Sequence, residues 1–193
     1  LNRTARTEAG PRISLAQALP KGVTMDAIVR KAVEVGVSHI LPFVSLRSVP
    51  RLSPSAAAAK ADRWRKIALE AARQSGRIFL PSVEQPGSFQ DVLDASAPAD
   101  LKLIFWEEES RSGAREVLSL WRAKPPSACF VLIGPEGGFA PEEVDAALSA
   151  GFRSVSIGPR VLKVETAVIA ILSIIQYELG SFGGDTAERS SAL

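Results

Sequence analysis

Hydrophobic and polar residues form short alternating blocks along the chain. Six apolar runs have the length of β-strands: ISLAQAL (13–19), SHILPFV (38–44), RIFLPSV (77–83), LKLIFW (101–106), ACFVLIG (128–134) and SVSIG (154–158). Between and after them, apolar residues recur at helical spacing in the segments 24–36, 54–76, 88–96, 112–123, 141–151 and 164–180. This alternation predicts an α/β fold with a mostly parallel sheet and helices on both faces.

Composition narrows the class of protein. A chain of 193 residues with 46% hydrophobic residues can bury the core of one globular domain. No apolar run reaches the roughly 18 residues of a membrane span, and the first residues are basic and polar, so we expect a cytoplasmic protein with no membrane partner. One cysteine and one histidine are too few for a disulfide or a zinc site of the usual ligand count, so we expect no metal.

Charge is divided unevenly along the chain. Residues 1–80 contain fourteen Lys and Arg against five Asp and Glu, whereas residues 81–193 contain nine against sixteen. A basic surface in one part of a chain suits a polyanionic partner such as nucleic acid. An ordinary solvated face explains the same pattern equally well.

The run VLIGPEGGF (131–139) places glycines directly after an apolar strand. Pro141 and the two acids that follow are typical of the first turn of a helix, which makes the segment a strand–glycine loop–helix element. Glycine lets a ligand approach the backbone at the end of a strand. The loop lacks the motifs of phosphate-binding loops, and Glu136 would repel a phosphate. It therefore favours an uncharged or cationic ligand, with a tight turn as the structural alternative.

A related pattern follows in SVSIGPRVLKVETA (154–167), where a strand ends at Gly158-Pro159 before a basic loop and a helix. We expect the two glycine loops to end adjacent strands. The last helix is apolar on almost all sides, which predicts a central core position combined with a subunit contact in a homodimer.

Together, IGPEGGF and IGPRVLKVETA resemble the cofactor-binding signature of the RsmE family, the small-subunit (16S) ribosomal RNA uridine N3-methyltransferases of the SPOUT class. Three upstream segments resemble the family in the same order: LAQALPKGVTMDAIVRKAVEVGV, LPFVSLRS and RWRKIALEAARQSGRIFLPSV. The resemblance runs from about Leu15 to Gly180.

This resemblance implies a deep trefoil knot in the C-terminal part, S-adenosylmethionine as cofactor, and methylation of N3 of a uridine in 16S ribosomal RNA of the small subunit. It also implies a division of the chain. Residues 1–14 would be a linker remnant after an absent N-terminal PUA-like β-barrel domain, residues 15–180 the SPOUT methyltransferase domain, and residues 181–193 a disordered tail.

The family motifs also imply site residues. Those implied to bind the cofactor are Leu132, Gly134, Glu136, Gly137, Ile157, Gly158, Leu162, Thr166 and Ala167. Glu136 and Glu165 have an alternative role as acids at helix starts.

For RNA, Arg63, Lys66, Glu70, Arg73 and Arg77 follow helical spacing and form a cationic stripe with one acid inside it. Trp64 falls on another face of this helix and is expected in the core. Gly76 is expected to end the helix, and QSGR (74–77) matches the family segment. The expected RNA-binding residues are Arg47, Arg63, Lys66, Arg73, Gln74, Ser75 and Arg77.

Methylation at N3 requires loss of the imide proton, so the site must accept a proton or stabilise a uracil anion. Arg77 and Arg160 are candidates for charge stabilisation, and Glu70 and Glu165 for proton acceptance; the sequence does not choose among them. His39 lies in a strand-like run and is expected to be structural.

Two alternative functions remain open at this stage. A related SPOUT ribose 2′-O-methyltransferase is the nearer, although such enzymes typically open the final helix with Ser-Leu-Asn where this chain has VETAV. A non-catalytic RNA-binding module is the more distant, since it needs the basic stripe but not two glycine loops.

Overall fold

A computed structural model describes residues 10–179, and its centre is a seven-stranded parallel sheet. The strands are β1 (Arg12–Ala18), β2 (His39–Val44), β3 (Ser82–Val83), β4 (Gly87–Ser88), β5 (Leu101–Phe105), β6 (Ala128–Ile133) and β7 (Arg153–Val155). The helices are α1 (Thr24–Glu34), α2 (Pro54–Gln74), α3 (Phe89–Ala95), α4 (Ala114–Ser119), α5 (Pro141–Ser149) and α6 (Val164–Glu178). The strand order is β3-β2-β1-β6-β5-β7, and β4 also pairs with β2.

Two hydrophobic cores lie on the two faces of the sheet. Along β1, Ile13 and Leu15 belong to one core and Ala16 and Ala18 to the other, as the period of two in a strand requires. Helices α1, α2, α4 and α6 supply buried residues to the first core, and α3 and α5 to the second. The predicted α/β fold, with a parallel sheet and helices on both faces, is confirmed.

The longest helix has recognisable end signals. The Ser53 side chain accepts a hydrogen bond from the Ala56 N–H at the start of α2, and Pro54 fits the first helical turn. At the other end, Gly76 adopts φ +68°, a left-handed conformation that suits glycine after a helix. The expected helix 54–76 and its stop at Gly76 are confirmed to within two residues.

Strand β6 lies between β1 and β5 in the middle of the sheet. Its Cys129 side chain is buried, and burial raises the pKa of the thiol to about 12. A strand covered on both faces needs a continuous apolar run, which explains why ACFVLI has no alternation.

One predicted strand is largely wrong. Of the run 77–83, only Ser82 and Val83 pair with β2. Ile78, Phe79 and Leu80 are instead 49%, 54% and 66% exposed, so the apolar run does not enter the core. The short β4 had no strand-like signal in its Gly-Ser sequence.

The expected adjacency of the two glycine-loop strands is also wrong. Strand β5 pairs with both β6 and β7 and therefore lies between them. The position of β5 between β6 and β7 could not be predicted from the order of the strands along the chain, because β5 precedes both of them.

The implied domain limits and knot stay predictions. Strand β1 begins at Arg12, inside the segment 1–14 that was expected to be a linker, while residues 1–9 and the expected tail 181–193 lie outside the described residues. None of the helices within 10–179 is long and apolar enough to cross a membrane.

Candidate functional site

A cavity of about 840 Å³ lies at the carboxyl ends of β5, β6 and β7. Its walls come from residues 105–113 at the end of β5, 133–138 at the end of β6 and 155–164 between β7 and α6. Ala167 and Ile171 of α6 complete the lining. The volume falls within the range of pockets that hold small molecules, and ligands of parallel α/β sheets bind at this edge.

The first glycine loop is closely packed at two of its glycines. A Cβ atom at Gly134 would lie 3.3 Å from the Phe139 ring, and one at Gly138 would lie 1.6 Å from Glu107 Oε1. Gly138 also has φ +66°, a conformation that side chains disfavour. Its N–H donates to the Pro135 carbonyl at 3.0 Å and closes the turn. The absence of a side chain at Gly138 therefore lets the segment after β5 pack against the loop.

Sequence reasoning missed that segment. Trp106 and the acids 107–109 line the cavity, and the signal available was three acids directly after the buried run LKLIFW. Glu109 Oε1 accepts hydrogen bonds from the N–H groups of Arg111 (2.7 Å) and Ser112 (3.2 Å). The bond from Arg111 is the main reason that the pKa of Glu109 lies below its usual value. Glu109 thus fixes the shape of the loop.

The second glycine loop leads into α6. Gly158 has φ +122° and is exposed to the cavity. The Lys163 carbonyl accepts from the N–H groups of Thr166 (2.9 Å) and Ala167 (2.8 Å), which starts the helix. Arg160 and Lys163 line the cavity, so its lining carries cations as well as acids.

The structure brings most of the expected cofactor residues together. Six of them line the cavity: Gly134, Glu136, Ile157, Gly158, Leu162 and Ala167. Leu132 instead points to the second core on the opposite face of the sheet. Gly137 and Thr166 do not line the cavity either. A Cβ atom at Gly137 would instead lie 3.4 Å from Arg47 Cβ, and Thr166 is an exposed residue of the first turn of α6. Gly138, not singled out from the sequence, lines the cavity.

Backbone and side-chain bonds tie the glycine loop to neighbouring loops. Arg47, expected to bind RNA, donates through Nη1 to the Gly137 carbonyl at 3.0 Å. Glu136 Oε1 accepts from the Lys21 N–H at 3.0 Å. Both contacts fix the outer side of the loop from elements that follow β1 and β2.

Two buried polar residues, also missed from the sequence, support the loop from beneath. Gln17 Nε2 donates to the Gly134 carbonyl at 3.2 Å. Glu143 is 4% exposed and accepts from the N–H groups of Leu46 (2.9 Å) and Ala140 (3.0 Å). Its carboxylate therefore joins the start of α5 to the loop after β2. A glutamate three residues after Ala140 was the signal for this cap.

The expected RNA stripe begins on the surface of α2. Arg63 donates to Asp26 Oδ2 through Nε (3.0 Å) and Nη2 (2.6 Å), and Trp64 Nε1 donates to Asp26 Oδ1 at 3.1 Å. The Arg63 hydrogen bond is the largest cause of the lowered pKa of Asp26. Trp64 is 2% exposed, which confirms its place in the core. Lys66, Glu70, Arg73 and Gln74 are exposed on the helix.

The C-terminal end of the stripe lies at the amino edge of the sheet, opposite the cavity. Arg77 donates to the Val33 carbonyl at 3.3 Å and to the Val37 carbonyl, just before β2 begins. Ser75 Oγ donates to the Ala71 carbonyl at 2.7 Å. Within one chain, the structure does not bring Arg77 or Glu70 to the cavity.

Of the four residues expected to act in catalysis, Arg160 lines the cavity, and Glu165 is half-buried in the adjoining first turn of α6 without lining it. His39 Nε2 lies 3.1 Å from Glu84 Oε1 near the surface, away from the cavity, consistent with a structural role. Among residues 10–179, no cluster of three potential metal ligands is present.

Comparison with protein families gives a match over residues 7–176 to a family described as an RNA methyltransferase domain. Ribosomal RNA small subunit methyltransferase E of Bacillus subtilis is 35% identical over 90% of this chain and 69% of its own length. The protein of that name in Synechocystis is 34% identical over 88% of this chain and 54% of its own length. The chain thus spans only part of these relatives.

Solved structures give the same picture. Ribosomal RNA small subunit methyltransferase E from Neisseria gonorrhoeae, bound to S-adenosylmethionine, superposes with a TM-score of 0.80 at 32% identity over 93% of this chain and 71% of its own. A Legionella pneumophila methyltransferase in complex with the same cofactor gives 0.76 at 36% identity over 86% of this chain and 66% of its own. An Aquifex aeolicus TrmH/SpoU tRNA-modifying enzyme shares the fold. It superposes with a TM-score of 0.54 at 15% identity over 89% of this chain and 77% of its own.

Proposed function

The chain belongs to the ribosomal RNA small subunit methyltransferase E (RsmE) family, and from this membership we propose that it methylates N3 of a uridine in 16S ribosomal RNA with S-adenosylmethionine. The observation that carries the proposal is the cavity at the ends of β5, β6 and β7, where the two glycine loops that resemble the family signature meet.

The cavity fits this cofactor in size and in chemistry. Gly134 and Gly138 both line the cavity and present backbone without side chains there. Ile133, Ile157 and Leu162 supply an apolar surface for adenine. The lining carries acids and the cations Arg160 and Lys163, which complement the ammonium and carboxylate of the methionine part. When bound, the cofactor supplies a methyl group on a cationic sulfur.

We propose that the six lining residues contact the cofactor and that the other three expected residues act indirectly. Leu132 fixes the strand end from the second core. The Gly137 carbonyl holds Arg47, which stabilises the loop. Thr166 belongs to the turn that positions Lys163 and Ala167.

For the reaction, we propose Arg160 and Glu165 as the acting pair in one chain. Loss of the N3 proton to the Glu165 carboxylate leaves a uracil anion whose charge spreads onto its carbonyl oxygens. The Arg160 guanidinium at the cavity stabilises that charge while N3 takes the methyl group.

Arg77 and Glu70 lie at the edge of the sheet opposite the cavity of their own chain. They could therefore reach a cavity only if it belonged to a second chain. A homodimer is the arrangement that allows this. The outer side of α6 supports it: Ile169 and Ala170 are half-buried and Tyr177 is 69% exposed, which leaves an apolar strip on a helix whose other side fills the core.

RNA binding is proposed for the exposed face of α2 and for Arg47. Lys66 and Arg73 extend into solvent, where they can contact phosphates without disturbing the fold. Arg63 keeps one side against Asp26, and Gln74 and Ser75 present polar groups at the helix end.

The deciding experiment combines binding with product mapping. Calorimetry should show binding of S-adenosylmethionine by the purified chain. Incubation with undermethylated small subunits, followed by nuclease digestion and mass spectrometry, should then place the new methyl group on a uracil base. A methyl group on ribose would support the 2′-O-methyltransferase instead, and binding of RNA without the cofactor would reduce the chain to a binding module.

A further inference from the structure

The carboxylate of Glu107 has an unusual position in the cavity. Glu107 lies two residues beyond the end of β5, and its Oε1 lies where a side chain on Gly138 would begin. Gly138 belongs to the loop after β6, the strand that pairs directly with β5. The Glu107 carboxylate therefore rests against the glycine loop, although the residue as a whole is exposed.

Two other carboxylates nearby already have partners. Glu109 accepts from Arg111 and Ser112, and Glu136 accepts from Lys21. Glu107 and Glu108 have no hydrogen bond or ion pair within residues 10–179, although both line the cavity, and of the two only Glu107 also meets Gly138. A carboxylate held at the wall of a binding cavity offers two acceptor oxygens to a ligand.

We infer that Glu107 is a positioning residue for the cofactor and accepts hydrogen bonds from its ribose hydroxyls. A ribose diol presents two neighbouring donors, which match the two oxygens of a carboxylate. The placement follows a general arrangement in parallel sheets, where an acid at the end of a neighbouring strand meets the ribose of a nucleotide held on a glycine loop. This inference rests on the proposed function, because it presumes S-adenosylmethionine in the cavity.

The test measures affinities by calorimetry for three ligands: S-adenosylmethionine, S-adenosylhomocysteine and 2′-deoxy-S-adenosylhomocysteine. The proteins are the unaltered chain, Glu107→Ala, Glu107→Gln and the control Glu116→Ala. Glu116 is an exposed acid on α4 and does not line the cavity.

Glu107→Ala should weaken both ribose-containing ligands by the same factor, about tenfold or more, since hydrogen bonds to a charged group are among the stronger ones. The loss should be clearly smaller for the 2′-deoxy ligand. Glu107→Gln should give an intermediate loss of affinity, and Glu116→Ala should bind like the unaltered chain. Circular dichroism of each variant checks that the fold is retained.

Three results would overturn the inference. Glu107→Ala could bind all ligands normally, it could lose affinity only for the sulfonium ligand, which would indicate a charge interaction, or it could lose the 2′-deoxy ligand equally. Failure of the unaltered chain to bind S-adenosylmethionine is a different outcome, because it contradicts the proposed function itself.

Discussion

At the scale of single residues, the glycine loop distinguishes two adjacent glycines that the sequence presents as equivalent. Gly138 has a left-handed backbone and faces Glu107, whereas Gly137 faces Arg47 at an ordinary van der Waals distance. Their neighbouring positions make them a matched pair for substitution.

Gly138→Ala should lower the free energy of unfolding by at least about 1–2 kcal/mol through backbone strain alone, and it should weaken cofactor binding. Gly137→Ala should cost less than about 1 kcal/mol. Chemical denaturation and calorimetry measure both effects. In a Glu107→Ala background, Gly138→Ala should cost less, because the overlap with the carboxylate is gone while the strain remains. Equal costs in the two backgrounds would contradict the contact.

Asp26 gives a pH prediction. Arg63 lowers its pKa in the folded chain, so its stabilising contribution is present above the pKa of the unfolded chain and is lost as pH falls through the lower folded value. Asp26→Asn should therefore be less stable than the unaltered chain at pH 7, and the difference should shrink below about pH 4. Urea denaturation at several pH values measures it. A difference independent of pH would mean that the charge of Asp26 contributes nothing.

At the scale of elements, end signals were more informative than apolar content. The glycine at 76 located the end of α2, and Ser53 with Pro54 explains its start, since caps depend on local backbone bonds. The strand predicted for the run RIFLPSV was wrong, because hydrophobic residues indicate a strand only where they are buried. Ile78 to Leu80 remain half-exposed. Glu107 could not be identified from the sequence, because its candidate role depends on its proximity to the loop of another strand.

Helix α6 carries the prediction about assembly. Tyr177→Glu places a charge on its outer apolar strip and should weaken the homodimer at least tenfold, since buried aromatic residues contribute most to such interfaces. Leu148→Glu is the matched control, because Leu148 is a 45% exposed apolar residue on α5. Analytical ultracentrifugation measures both. A monomer in the unaltered chain, or equal effects of the two changes, would rule out this surface.

At the scale of the whole molecule, the order of the strands decides the site, and order could not be predicted. Periodicity identified β5, β6 and β7 separately, but it contains no information on which strands pair. Because β5 lies between β6 and β7, the segment that follows β5 forms a third wall of the cavity. The glycine loops were therefore recognised while the acidic loop between them was not.

The separation of the basic helix from the cavity yields a prediction on RNA affinity. Lys66→Ala should weaken RNA binding and reduce the slope of log affinity against log salt by about one unit if it contacts a phosphate. Cofactor affinity should stay the same, since Lys66 is on the surface of α2 and does not line the cavity. Arg115→Ala, an exposed cation on α4, serves as control. Filter binding at several salt concentrations measures the slopes, and identical slopes for all three proteins would exclude the contact.

The buried thiol of Cys129 in β6 can be used to measure unfolding of the domain. Cys129 is the single cysteine of the chain and is 1% exposed in the strand between β1 and β5. An alkylating reagent can reach it only when the centre of the sheet opens, so the labelling rate counts openings of the whole domain rather than fraying of its loops. A ligand that binds only the closed sheet slows labelling by the factor one plus its concentration over its Kd. Mass spectrometry of one modified peptide would thus give both the stability of the fold and the affinity of the cavity, without any engineered cysteine.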